Sequence, residues 1–160
     1  MASNTEASMI GGGIFRRAQR SDLKVVLEMM AEICEILGLE PPTEEELVKK
    51  CGMDEGGDEK VHIYLMQGFV NDEVTTVACA FCYPEDSVWK GRQYCLKDMY
   101  IKPDYRYVGV GARIGVGICE TAKKLNRSAI FKYSMEDFFR AKLGSADFID
   151  VIRVFSHAEK

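Results

Sequence analysis

Apolar residues recur along this chain in two rhythms, one of three or four residues and one of two, and the switches between them mark out its elements. Val25, Val26, Met29, Met30, Ile33, Ile36 and Leu37 fall at helical spacing, with Ser21 or Asp22 able to cap the start and Gly38 to stop the helix. Thr43-Glu44-Glu45-Glu46 is a capping box that predicts a second, short helix through about Cys51, followed by a loop holding Gly56 and Gly57. Branched and aromatic runs then predict strands at residues 61–70 and 74–83, joined at Asn71-Asp72, with Glu85 and Asp86 in the turn that follows. A further strand, 92–102, closes at Pro103-Asp104. Ile114, Ile118, Thr121, Ala122 and Leu125 return to helical spacing over 112–125.

Shorter signals fill in both ends. Ile14 to Ala18 reads as a short strand, and Met1 to Gly13, small, polar and ending in three glycines, as a mobile tail before a single domain over 14–160. Ser128 to Tyr133 reads as a strand, Ser134 as the cap of a helix to Lys142 with Gly144 as its stop, and 147–155 as a last strand. The expected class is α/β (α+β), with about six strands and about four helices.

Between the third long strand-like run and the helix after it stands Arg106-Tyr107-Val108-Gly109-Val110-Gly111-Ala112. A helix that begins there presents unpaired backbone N–H groups and the positive end of its dipole, both of which favour a phosphate. Gly109 and Gly111 would let the backbone approach an anion closely, and Arg106 could add a bidentate grip. No Gly-Lys-Ser/Thr follows, so this is not a mononucleotide loop, and Ile114 stands where a dinucleotide loop needs its third glycine. The plain alternative is a glycine-rich turn with no ligand.

Composition narrows the setting. With 160 residues, 47% of them apolar, the chain can bury a substantial core, and a net charge of −4 argues against a nucleic-acid footprint. No apolar run approaches the ~20 residues that span a bilayer, and the start shows neither a basic segment nor an apolar signal core, so a soluble cytoplasmic protein without membrane association is expected. Six cysteines are scattered through predicted helices and strands. Only Cys79 and Cys82 have a suggestive spacing, and three residues apart in a strand they point to opposite faces, so buried thiols are expected rather than a metal site.

The block Asp104-Tyr105-Arg106-x-x-Gly109-x-Gly111, together with Ile14 to Leu27, Leu96 to Ile101 and Phe138 to Asp147, resembles the GNAT superfamily of N-acetyltransferases. Within it the blocks look like the spermidine/spermine (diamine) and thialysine acetyltransferase branch. The resemblance implies a mixed, mostly antiparallel twisted sheet flanked by the helices, acetyl-CoA as cofactor, a small-molecule primary amine (a diamine, polyamine or thialysine) as acceptor, and a homodimer. It also implies that Met99, Tyr100 and Ile101 pair their backbone with the pantetheine arm. Tyr107, Val108, Gly109, Val110, Gly111 and Ala112 would wrap the pyrophosphate.

Catalytic positions depart from that family. The acidic residue it carries just before the central aspartate is Lys97 here, a cation that would repel a polyamine by on the order of 1 to 4 kcal/mol at contact. Asp98 is retained, although simple alternation places it on the opposite face from Lys97. The family's leaving-group tyrosine falls at Phe139, which has no proton to give, and the connection after Tyr133 and the C-terminal segment are both shorter than the family's. Tyr133 is a candidate to protonate the thiolate, or an aromatic capping the core. Glu85, in the turn, and Glu32 and Glu35, on the first helix, are candidates to line the acceptor site, or solvated carboxylates. Three readings stand: an N-acetyltransferase with an altered acceptor range, a catalytically degenerate acyl-CoA-binding or protein-interaction module, and an incomplete chain that folds poorly.

Overall fold

Strands that follow one another in this chain also lie side by side in the sheet, some joined by tight turns and others by helical connections. The structure is a computed structural model that describes residues 8–10, 12–54, 59–106 and 108–131. Its elements are β1 (Ser8–Ile10), β2 (Gly13–Arg17), α1 (Leu23–Leu37), α2 (Glu44–Lys50), β3 (His62–Val70), β4 (Glu73–Ser87), β5 (Gly91–Ile101), α3 (Val110–Lys124) and β6 (Ser128–Phe131). The sheet order is β1-β2-β3-β4-β5-β6. Every neighbouring pair is antiparallel except β5 and β6, which are parallel because α3 crosses over between them. This is the mixed, mostly antiparallel sheet the sequence predicts, with three α-helices among the described residues. The expected helix from Ser134 and the strand over 147–155 lie outside the described residues.

Local chemistry explains the boundaries. Thr43 accepts from the Glu46 N–H at 3.2 Å while the Glu46 carboxylate accepts from the Thr43 N–H, the predicted capping box. Gly38 ends α1 at φ 69°, a left-handed turn that glycine enters without a Cβ penalty. Asn71 and Asp72 carry φ values of 51° and 64°, the pair of positive angles that matches a two-residue hairpin to the strand twist. Asp22 does not cap α1 with its side chain; its carboxylate accepts two hydrogen bonds from Arg16, at 2.7 and 2.8 Å, and one from the Gln19 N–H. These contacts hold the Asp22 carboxyl below the usual carboxylate range, Arg16 being the largest cause.

Two expectations are corrected. Ser8–Ile10, assigned to the tail, pairs antiparallel with β2. β4 runs on through Ser87, so Glu85 and Asp86 are strand residues opposite Gln93 and Arg92, and the turn is at 88–90. β3 begins at His62, opposite Cys82, so beyond that point β4 is an edge on that side, where the missing N–H of Pro84 costs no ladder bond.

Each face of the sheet carries its own core. α3 lays Val110, Ile114, Ile118 and Ala122 against a layer that includes Phe15, Tyr64, Tyr94, Leu96, Met99 and Ile101. On the other face, Leu23, Val26 and Met29 of α1 and Leu47 and Val48 of α2 cover Ile63, Leu65, Cys79, Phe81 and Tyr100. Cys79 and Cys82 accordingly sit on opposite faces, as alternation requires. Under α3 a polar chain is buried: His62 Nδ1 and the Tyr94 hydroxyl share a hydrogen bond of 2.6 Å, as do the Tyr94 and Tyr64 hydroxyls. Burial lowers the His62 imidazole to about 4 and raises the Tyr64 hydroxyl to about 12, so at neutral pH the chain carries no charge.

Candidate active site

Two irregularities of β5 create the site. The first is a bulge: Cys82 pairs with Leu96 and Phe81 with Asp98, so Lys97 is an extra residue with no partner on β4. The register shift inverts the phase of the strand. Leu96 and Met99, three apart, both face the α3 side, whereas a regular strand would put them on opposite faces. Lys97 and Asp98 are thereby brought together on the α1/α2 side, which corrects the expectation that alternation separates them. The Lys97 ammonium lies 4.6 Å over the Tyr83 ring, and Asp98 stands with Tyr83 and Phe81 in the wall of one cleft.

The second irregularity is a splay. β6 pairs with β5 only over Gln93 to Leu96, so among the described residues the 97–101 half of β5 is paired on its β4 side alone. Lys102 donates its N–H to Val77 of β4, and backbone alternation then turns the peptide groups of Ile101 and Met99 toward the open edge and those of Tyr100 toward β4. Of the three residues implied to hold a pantetheine arm, Met99 and Ile101 present backbone to the open side. Arg106 Nε donates to the Ile101 carbonyl at 2.8 Å, and its guanidinium carbon lies 5.6 Å from the Tyr100 ring centroid. That guanidinium is thus engaged at the strand end.

Where the open edge finishes, α3 begins. Gly109 is its N-cap at φ 83°, and the space where a Cβ would stand is open. The first-turn N–H groups of Val110, Gly111 and Ala112 have no intrahelical acceptor by helix geometry, because the first such bond here is Arg113 N–H to the Gly109 carbonyl. The helix therefore starts two residues earlier than periodicity predicts, and the arrangement fits a pyrophosphate: an open left-handed glycine and a dipole end, with Arg113 beside Val108 and Val110. Val108 is exposed beside it. Tyr107 lies outside the described residues, as do Tyr133 and Phe139.

The cleft on the α1/α2 face encloses about 200 Å³. Met30, Ile33, Cys34 and Leu37 of α1, with Pro42, Leu47 and Val61, form most of its wall; Asp98 and Lys50 are its charged members. Burial raises the Asp98 carboxyl above the usual carboxylate range, an effect the nearby Lys97 partly offsets. Burial also pushes the Tyr83 hydroxyl up to about 12, so it stays protonated. Glu85 forms an ion pair with Lys97 and accepts from the Cys95 thiol at 3.4 Å. Glu32 accepts a hydrogen bond from the Tyr100 hydroxyl, which binds α1 to the sheet, and Glu35 is exposed on α1. Neither contributes to the cleft wall, whereas Tyr83 does and was not singled out from the sequence. An aromatic two residues beyond Phe81 on the same face was the available signal.

Comparison with known proteins agrees with this geometry. No protein-family model matches the chain. Over 36 residues it is 47% identical to thialysine N-epsilon-acetyltransferase of Bos taurus, a match that spans 22% of this chain and only 21% of that curated relative. Among solved structures, it is similar to a GNAT family acetyltransferase of Staphylococcus aureus (TM-score 0.54, 21% identity, 75% of this chain and 84% of that one). It is also similar to a predicted acetyltransferase of Clostridium acetobutylicum with acetyl-CoA (TM-score 0.54, 17% identity, 75% and 80%). A third, an aminoglycoside acetyltransferase from an uncultured soil metagenomic sample in complex with sisomicin, gives a TM-score of 0.62 at 10% identity over 85% and 87%. With a bulged and splayed β5 leading into a glycine-capped α3, the chain has the fold of the GNAT superfamily of N-acetyltransferases.

Proposed function

We propose that the protein is an acetyl-CoA-dependent N-acyltransferase whose acceptor is a primary amine of a small molecule. The observation that carries this reading is that one strand, β5, joins three things: an open backbone edge, a helix N-terminus at its end, and a half-buried carboxylate, Asp98, at the bulge. Acetyl-CoA, when bound, supplies an activated acyl group. Val110, Gly111 and Ala112 would hold its pyrophosphate, and the Met99 and Ile101 peptide groups its pantetheine arm. Asp98, its basicity raised by burial, is placed to take a proton from the incoming ammonium so that the free nitrogen can form the N–C bond. The C–S bond breaks as that bond forms, and the thiolate leaves with a proton from solvent or a neighbouring hydroxyl.

The resemblance of the blocks to diamine and thialysine acetyltransferases, and the thialysine name of the Bos taurus relative, support an amine as acceptor. The same resemblance supports a homodimer, which light scattering would test. Among the described residues no helix is long and apolar enough to cross a membrane. A second reading, an acyl-CoA-binding or interaction module without turnover, is favoured by Lys97 at a position where that branch carries an acid.

One experiment separates the two: calorimetric titration of acetyl-CoA into the protein and into Gly109→Val, followed by a thiol-release assay with a panel of amines. Micromolar binding, worth about 8 kcal/mol, that is lost in Gly109→Val supports the cofactor site. Binding with no thiol release from any amine leaves the module. Absence of binding removes both, and leaves the fold as a scaffold for some other partner.

A further inference from the structure

The acceptor cleft has a chemistry of its own, and it does not match a polyamine. Its wall is apolar through Met30, Ile33, Leu37, Leu47, Phe81 and the Tyr83 ring. One carboxylate, Asp98, reaches into it, and no hydrogen-bond partner for that carboxylate exists among the described residues. The cations nearby are Lys50 in the wall and Lys97 behind the Tyr83 ring. Glu85, the carboxylate that a second ammonium would need, is held by Lys97 and by the Cys95 thiol.

Resting on the acyltransferase reading above, we infer that the acceptor is a primary monoamine with a short apolar body, a linear alkyl chain or a single aromatic ring. Its one ammonium pairs with Asp98 and its carbon body fills the cleft between α1, α2 and the sheet. The volume, about 200 Å³, is below the ~300 to 1,000 Å³ typical of sites for drug-sized ligands, which suits a body of that size. A diamine of the same length would place its far ammonium against Met30, Ile33 and Leu37, or close to Lys50, with no free carboxylate to receive it. Burying an unpaired charge in apolar surroundings is strongly unfavourable. Lys97 thereby becomes a specificity-determining residue: it keeps Glu85 neutralised and leaves Asp98 as the single anionic anchor.

The test compares hexylamine with 1,6-diaminohexane, two acceptors alike except for the far group, and adds 2-phenylethylamine, spermidine and thialysine. Thiol release is followed at fixed acetyl-CoA, with acetyl-CoA binding measured on the same preparations. The expected result is a kcat/KM for hexylamine and 2-phenylethylamine about 10- to 100-fold above that for 1,6-diaminohexane, spermidine or thialysine. In Lys97→Glu, which frees Glu85 and adds a second carboxylate, the hexylamine preference over 1,6-diaminohexane should fall by about tenfold while acetyl-CoA affinity holds. If the diamine, spermidine or thialysine is the better acceptor of the unmodified protein, the inference is overturned and the acyltransferase reading stands. If acetyl-CoA binds but no amine releases thiol, both are overturned.

Discussion

Gly117, in the middle of α3, offers a test of how tightly the helix is seated. A Cβ built there would fall 2.6 Å from Cδ1 of Phe15, 2.7 Å from Cε1 and 2.8 Å from Cγ. Carbon atoms in contact normally stand roughly 3.5 to 4.0 Å apart, so Gly117→Ala demands a displacement of about 1 Å. Phe15 cannot easily supply it, since its ring is buried and stacked on Tyr64 at 5.1 Å and 6°, and the Tyr64 hydroxyl is tied to Tyr94. Overpacking of this kind costs about 1 to 3 kcal/mol, against which alanine gains about 1 kcal/mol over glycine in a helix interior. The net expectation is a loss of about 1 kcal/mol, read by urea unfolding or as a fall in Tm of about 2 to 4 °C for a chain of this size. Combining Gly117→Ala with Phe15→Leu, which removes the obstructing ring, should recover about 1 kcal/mol relative to additivity. Should Gly117→Ala prove about 1 kcal/mol more stable than the parent, helix propensity alone would be acting, and the close seat of α3 on β2 would be refuted.

Other consequences are as direct. Asp98→Asn should lower kcat/KM for the best amine by about 10² to 10⁴ with acetyl-CoA affinity unchanged in calorimetry; equal losses in both would make Asp98 a structural residue instead. Burial holds the His62 imidazole at about 4, down from its ordinary 6.5, so its neutral burial contributes stability that is complete above pH 6.5 and lost as pH falls toward 4. Over that interval the parent should lose up to about 3 kcal/mol more than His62→Gln, and parallel Tm-against-pH curves would contradict the assignment. Removing the α2 cap with Thr43→Ala should cost about 1 kcal/mol in denaturant unfolding, and an unchanged midpoint would mean that the cap is not formed in solution.

What the sequence made legible is what neighbouring residues decide among themselves. Thr43 and Glu46, Gly38, Asn71-Asp72 and the Gly109 cap of α3 each act within four residues, so their geometry could be read from type and spacing. The open edge of β5 was reachable only through resemblance. Three features escaped because each depends on a partner distant in the chain. The bulge at Lys97 exists only in register against Phe81 and Cys82. The extension of β4 past Pro84 depends on β3 starting only at His62, opposite Cys82. The engagement of Glu32 requires Tyr100 to arrive from 68 positions away. Periodicity assumes an unbroken phase, and it failed at the place where the phase breaks.

The bulge also divides β5 into two reading frames. Before Lys97 the even-numbered residues face α3; after it the odd-numbered ones do. Substitution at position 97 therefore changes only chemistry, whereas deletion of that one residue would bring the two frames into step. Leu96, Met99 and Ile101 would stay under α3 and Asp98 and Tyr100 on the α1 side, because plain alternation from Leu96 then reproduces the faces that the bulge now gives. Both cores would survive, and what would go is the cation over the Tyr83 ring, its pairing with Glu85 and the local bend of the strand. The extra residue thus sets a cation beside Asp98 on one face without turning any other side chain of β5 over.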